Sequence, residues 1–181
     1  MILPEPVHKT AFIHPLAFVE ASKIGARTKI WQFASVIRGS IIGEDCSIAN
    51  CSLLDGAWFG HRCIVSQFCA IGPGFYVGND VFIGPSVTFC NDRFPATNKE
   101  NFHPEILRDD FITIRVRDGA AIGANSVLLP GVVIGERSMV AAGSAVTKSV
   151  PDNNLHRRDG SMVEIKPEWR ENRMVEATCL R

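Results

Sequence analysis

The stretch Lys23-Ile24-Gly25-Ala26-Arg27-Thr28-Lys29-Ile30-Trp31-Gln32-Phe33-Ala34-Ser35-Val36 carries an aliphatic residue at every sixth position, and the spacing continues on both sides of it. Upstream lie Phe12 and Phe18, and downstream lie Ile42, Ile48 and Leu54. After a slip of one residue the series resumes as Phe59, Val65, Ile71, Val77, Ile83 and Phe89; after an interruption it returns as Val116, Ile122, Leu128, Ile134, Val140 and Val146. An α-helix does not keep this period, because six residues match neither whole turns of about 3.6 nor a helical stripe. Six residues do hold three strand alternations. Each unit therefore reads as a short strand plus a corner, and three units make one triangular coil.

Four places after a member of the series the residue is often small: Ser22, Thr28, Ala34, Ser40, Cys46, Ser52, Cys63, Cys69, Ala120, Ser126, Ser138 and Ser144. Even spacing puts both positions on the inward face. Cys46, Cys63 and Cys69 are thus expected as small interior fillers, with no catalytic part. Glycine follows the aliphatic at Gly25, Gly43, Gly60, Gly72, Gly78, Gly84, Gly123 and Gly135, where permissive backbone angles would serve the corners.

Composition narrows the classes further. A chain of 181 residues, 46% of them hydrophobic, suits one domain with a sizeable core. The 19 basic and 19 acidic residues cancel without a run of like charge, so no nucleic-acid footprint is expected. No apolar window is long enough for a bilayer, and Met1-Ile2-Leu3-Pro4-Glu5-Pro6 shows no basic segment leading into an apolar one, which predicts a cytoplasmic protein away from membranes. The six cysteines contain no Cys-x-x-Cys pair and no finger-like histidine spacing, so neither disulfides nor a metal is expected.

The repeat resembles the hexapeptide-repeat acyltransferase superfamily over roughly residues 12 to 151. That resemblance implies an all-β fold, a left-handed parallel β-helix in the form of a three-sided prism. Its handedness comes from the resemblance alone, since parallel crossovers are ordinarily right-handed. Residues 1–151 are expected to form the β-helix, with an inserted loop at about 90–112. Residues 152–181 are expected to form a capping tail, with a short helix over Pro167–Val175 begun by proline.

The repeat stops for about twenty residues between Phe89 and Ile112, and a long loop in a regular solenoid invites a functional reading. Its opening, Val87-Thr88-Phe89-Cys90-Asn91-Asp92 with Pro95 after it, resembles the loop of N-acyltransferases acting on nucleotide-linked amino sugars. Where such relatives commonly place an arginine after the proline, this chain has Ala96. The run Gly119–Ser126 and Val140–Pro151 is similar to the coenzyme A groove of the same family. By that resemblance the co-substrate is acetyl-CoA, the acceptor is a dTDP- or UDP-linked amino deoxysugar, a 3-amino sugar in particular, and the assembly is a homotrimer.

Acyl transfer from a thioester needs a held oxyanion, a positioned neutral amine and an exit for its proton. Asn91 is the first candidate, since its amide can accept from the amine or donate to the thioester oxygen. Asp92 could orient the amine or act as base, and His61 and His103 are the histidines considered as bases. A further possibility implied by the family is that the departing thiolate takes the proton. Backbone groups at Ala124, Ala141 and Ala142 could meet the pantetheine amides, while Lys148 and Arg157, with Arg158, could meet coenzyme phosphates. Trp31 is expected to face outward, at a subunit contact or on a base. The rival readings are a γ-carbonic-anhydrase-like protein, although the paired histidines it needs are missing from the sequence, and a non-catalytic β-helix scaffold with the loop as its docking element. Serine-acetyltransferase-like chemistry is disfavoured because the repeats begin almost at once.

Overall fold

The computed structural model of the protein describes residues 6–93, 95, 97, 113–166 and 168. Three parallel sheets wrap one apolar bore, forming a three-sided β-helix. Sheet I stacks Phe12–Ile13, Lys29–Ile30, Ser47–Ile48, Ile64–Val65, Phe82–Ile83, Ala121–Ile122, Met139–Val140 and Asn154–His156. Sheet II stacks Phe18–Val19, Ser35–Ile37, Leu53–Asp55, Ala70–Ile71, Thr88–Phe89, Val127–Leu128 and Ala145–Val146. Sheet III stacks Lys23–Ile24, Ile41–Ile42, Trp58–Phe59, Phe75–Val77, Ile114–Val116 and Val133–Ile134. Paired residues stand one coil apart, as Ile30 does with Ile48, and the inserted loop widens that interval between Phe89 and Leu128.

The inward series is buried from Ile24 to Val146, and so is every small residue named above. The interior hydroxyls are also partnered: Thr28 Oγ1 donates to Gly43 O at 2.6 Å and Ser52 Oγ to Ser66 O at 2.8 Å. Buried hydroxyls that donate to a carbonyl avoid the desolvation cost of an unpaired group. Cysteine uses the same position in the same way, with Cys63 Sγ 3.0 Å from Gly78 O and Cys69 Sγ 3.2 Å from Gly84 O. Contact with Cys46 together with burial pushes the Cys63 thiol up, and burial does the same to Cys69. A thiol reagent is therefore expected to label exposed Cys51 in the native protein and to spare Cys46, Cys63 and Cys69 until denaturant is added. Peptide mapping checks this, and fast native labelling of Cys63 would contradict the buried stack.

Two expectations are corrected. Phe12 and Phe18 do not belong to the inward series, since they are 44% and 57% exposed and Ile13 and Val19 pair with Ile30 and Val36 in their place. The true phase is Val7, Ile13, Val19 and then, five residues on, Ile24. Seven of the eight corner glycines, Gly72 apart, are needed for space and not for their backbone angles. None of the eight following the aliphatics has a positive φ. Positive φ falls mostly two residues later, on Arg27, Asp45, Arg62, Asp80, Ser86, Asn125 and Arg137. A left-handed conformation costs a non-glycine roughly 1–2 kcal/mol. Here each such amide reaches the coil before it, as Asp45 N does Ala26 O and Arg62 N does Glu44 O, which offsets part of that cost.

The sheet runs on past Pro151. Asn154–His156 adds a parallel strand beside Met139–Val140, and Met162–Glu164 then turns back antiparallel to it. His156 takes the inward place opposite Val140, buried and, among the described residues, with no partner for its Nδ1. The helix expected over Pro167–Val175 lies outside the described residues, Glu168 apart.

Candidate active site

The three edges of the prism, named by the sheets they join, carry different chemistry. The III–I edge is a structural ladder. Arg27 Nε donates to Asp45 Oδ1 at 2.7 Å and Arg62 Nε to Asp80 Oδ1 at 2.6 Å, and these guanidinium contacts hold both carboxyls below their ordinary range. Beside them, side chains accept corner amides from the coil before: Asn79 Oδ1 from His61 N at 2.8 Å, Asp118 Oδ1 from Asn79 N at 2.9 Å, and Asp152 Oδ1 from Glu136 N at 2.8 Å. His61 is one rung of this ladder, its Nδ1 accepting from Glu44 N at 3.0 Å. It therefore stands on a different edge from Asn91.

The loop leaves from the II–III edge. Phe89, buried edge-to-face against Phe75 with ring centroids 5.3 Å apart, anchors its first turn, and Thr113 closes its return by donating from N and Oγ1 to Gly74 O at 2.6 and 2.7 Å. Arg93 Nη2 donates to Pro130 O at 3.1 Å, tying the outgoing strand to the next coil. Asn91 lies half-buried at this mouth, its Nδ2 3.6 Å from the point where Gly72 would carry a Cβ. Its amide makes no hydrogen bond to the described residues, so a turn-stabilising duty is missing there. Asp92 follows, half-buried, with a partner of its own. His103, Ala96 and most of the loop lie outside the described residues.

Lys148 is exposed on the same II–III edge as Asn91, in the second coil beyond it, after Pro130 and Gly131. Successive coils are spaced by roughly 4.8 Å. On the I–II edge Ala124 packs over Gly84 and Ala142 over Gly123, and among the described residues neither alanine's amide donates to a partner. Ala141 differs, and the expectation is corrected for it. Its amide donates to His156 O at 2.8 Å and its carbonyl accepts from Ser126 and Ser144 hydroxyls at 3.2 and 2.7 Å, so it has nothing left for a ligand. Arg157 opens the hairpin turn at the end of this edge, and Arg158 Cδ passes 3.7 Å from the Cβ point of Gly143. Between the two edges the outer face of sheet II is paved by Thr88, Val127 and Ala145, and the six residues from Ala142 to Lys148 can span at most about 20 Å. The described residues contain no group of three or more side chains able to hold a metal ion.

Sequence reasoning missed two pairs, one on sheet III beside the loop's return and one on the II–III edge two coils before the loop. Arg115 stacks on Tyr76, its Cζ 5.1 Å from the ring centroid, and Arg38 forks both carboxylate oxygens of the buried Asp55. The alternation that puts Phe75 and Val77 inward puts Tyr76 outward, so the first pair was within reach of the parity rule.

The bacterial transferase hexapeptide family, in its six-repeat description, matches residues 21–56 and 113–148. A dTDP-3-amino-3,6-dideoxy-alpha-D-galactopyranose 3-N-acetyltransferase of Aneurinibacillus thermoaerophilus is 41% identical over 147 residues, 81% of this chain and 73% of that protein. The chain belongs to the hexapeptide-repeat transferase family. The bifunctional protein GlmU of Thermosynechococcus vestitus is 31% identical over 84% of this chain, which spans only 30% of that longer relative. Among solved structures, a variant of AntD, an N-acyltransferase from Bacillus cereus, matches with a TM-score of 0.52 at 19% identity, covering 94% of this chain and 90% of its own, which places the fold alone. The matched repeats are coils before and after the inserted loop, and the 147 residues shared with the Aneurinibacillus relative run across it.

Proposed function

We propose that this chain is an acetyl-CoA-dependent N-acetyltransferase whose acceptor is a nucleotide-linked 3-amino deoxysugar. The observation that carries the reading is the 41% identity with a dTDP-linked 3-amino sugar acetyltransferase over most of both chains. The unengaged amide of Asn91 at the loop mouth supports it chemically.

In this reading the amine nitrogen attacks the thioester carbonyl, the new N–C bond forms, the C–S bond breaks and the amine proton passes to the departing thiolate. Asn91 accepts from the amine or donates to the developing oxyanion, and Asp92 orients the nucleophile. The amides of Ala124 and Ala142 meet the pantetheine carbonyls, while Lys148 and Arg157 meet coenzyme phosphates. Much of the rate then comes from positioning. Buried free thiols fit a cytoplasmic, reducing setting, and none of the helices among the described residues is long and apolar enough to cross a membrane. A homotrimer is supported by apolar side chains that a monomer leaves bare on the I–II edge, Leu16, Phe33 and Phe68, with Trp31 leaning outward on Phe12 at 5.5 Å between ring centroids.

The direct test is thiol release from acetyl-CoA with a panel of dTDP- and UDP-linked amino sugars. Turnover is expected with a 3-amino sugar ahead of its 2- and 4-amino isomers. Binding of acetyl-CoA without turnover on any amino sugar would overturn the reading, and absence of binding altogether would favour a scaffold.

A further inference from the structure

Gly72 stands where the fold asks for no glycine. Its register on the II–III edge, one residue past the inward aliphatic, is filled in the other coils by Glu20, Ile37, Asp55, Cys90, Leu129 and Thr147, so the position accepts charged, branched and polar side chains alike. Its φ lies outside the left-handed region, so the backbone makes no demand either. The glycines at the corresponding position on the other edges differ in kind. A Cβ on Gly25 would lie 2.5 Å from Gly43 C, and one on Gly123 would lie 2.7 Å from Ala142 Cα, both closer than real atoms approach. Among the described residues a Cβ on Gly72 meets nothing nearer than 3.6 Å, and what it meets there is Asn91 Nδ2 and the rim of the Phe75 ring.

An added methyl group would therefore cost the fold little and would cover one side of the amide at the loop mouth. We propose that Gly72 is a specificity-determining residue, kept bare so that the acceptor sugar can lie against the main chain and reach the Asn91 amide. The proposal rests on the reading of Asn91 given above. The floor of the acceptor subsite is then the corner Gly72-Pro73-Gly74, closed behind by the buried Phe75 and Phe89.

The test uses Gly72→Ala and Gly72→Val in the full chain, with kcat and both KM values measured beside thermal melting. One added carbon in a fitted pocket changes selection by about tenfold. Gly72→Ala is expected to raise the acceptor KM by about that factor and Gly72→Val by more, with the acetyl-CoA KM within about twofold of the parent and the melting temperature of Gly72→Ala unchanged. If Gly72→Val fails to fold, Gly72→Ala decides. An unchanged acceptor KM in a folded, active variant overturns the proposal while leaving the acetyltransferase reading intact, and so does a rise confined to the acetyl-CoA KM. A parent protein that turns over no amino sugar overturns both.

Discussion

Asn91→Ala is expected to lower kcat for thiol release by about 10²–10³-fold, the usual loss when one donor to a developing oxyanion is removed. The melting temperature should stay where it is. The two halves of this expectation come from the same observation: the Asn91 amide is half-buried at the loop mouth and makes no hydrogen bond to the described residues, so its removal takes nothing from the folded state there. A turn-stabilising asparagine would give the opposite pattern, with stability falling by about 1 kcal/mol and turnover kept. Because Asn91→Asp keeps the shape and places a negative charge where negative charge must develop, it should be no more active than the alanine variant. Full turnover by Asn91→Ala would remove this residue from the reaction.

Gly43→Ala should destabilise the protein by about 3 kcal/mol, at the upper end of the cost of forcing extra carbon into a packed interior. The new Cβ would fall 2.6 Å from Gly60 C and closer still to Gly60 O. Main chain cannot swing aside as a flexible side chain does, so two coils must part or the corner must rotate. Gly43 N donates to Phe59 O and Ile41 N to Ala57 O at 3.0 Å, and both bonds run along the contact that would open. Urea unfolding measures the loss, with Gly72→Ala as the comparison that keeps the glycine-to-alanine change and lacks the clash. A loss below about 0.5 kcal/mol would mean that the coils are softer than their packing implies.

The bore of this protein was readable because its rule is short. An inward place must be apolar or be a small hydroxyl or thiol able to reach a carbonyl, and residues from Ile24 to Val146 obey it. The rule failed at Phe12 and Phe18, where size misled: a large aromatic six places before a true inward residue looks like another one. The five-residue step from Val19 to Ile24 that resets the phase leaves no mark except a pairing partner. The glycines misled in a different way. A position that needs no side chain and a position that needs an unusual φ ask for the same residue, and only the next coil tells them apart.

The candidate site was half legible. The loop announced itself by breaking a period, and Asn91 by standing at the break. What the spacing did not show was which edge each residue occupies, since that depends on counting whole coils through every slip. Counted so, His61 falls in line with Asn79 and Asp118, while Asn91 falls in line with Pro130 and Lys148. Ala141 was lost for a local reason: two inward serines, Ser126 and Ser144, converge on its carbonyl.

A pile of near-identical parallel rungs has no internal reason to stop growing, and an uncovered last rung would accept another molecule's first one. The hairpin at the carboxyl end supplies the reason: by reversing direction at Met162–Glu164, it offers an incoming chain an edge running the wrong way for the pile. Cutting the protein after Val150 would uncover the parallel strand Met139–Val140 and should turn a discrete particle into one that polymerises end to end.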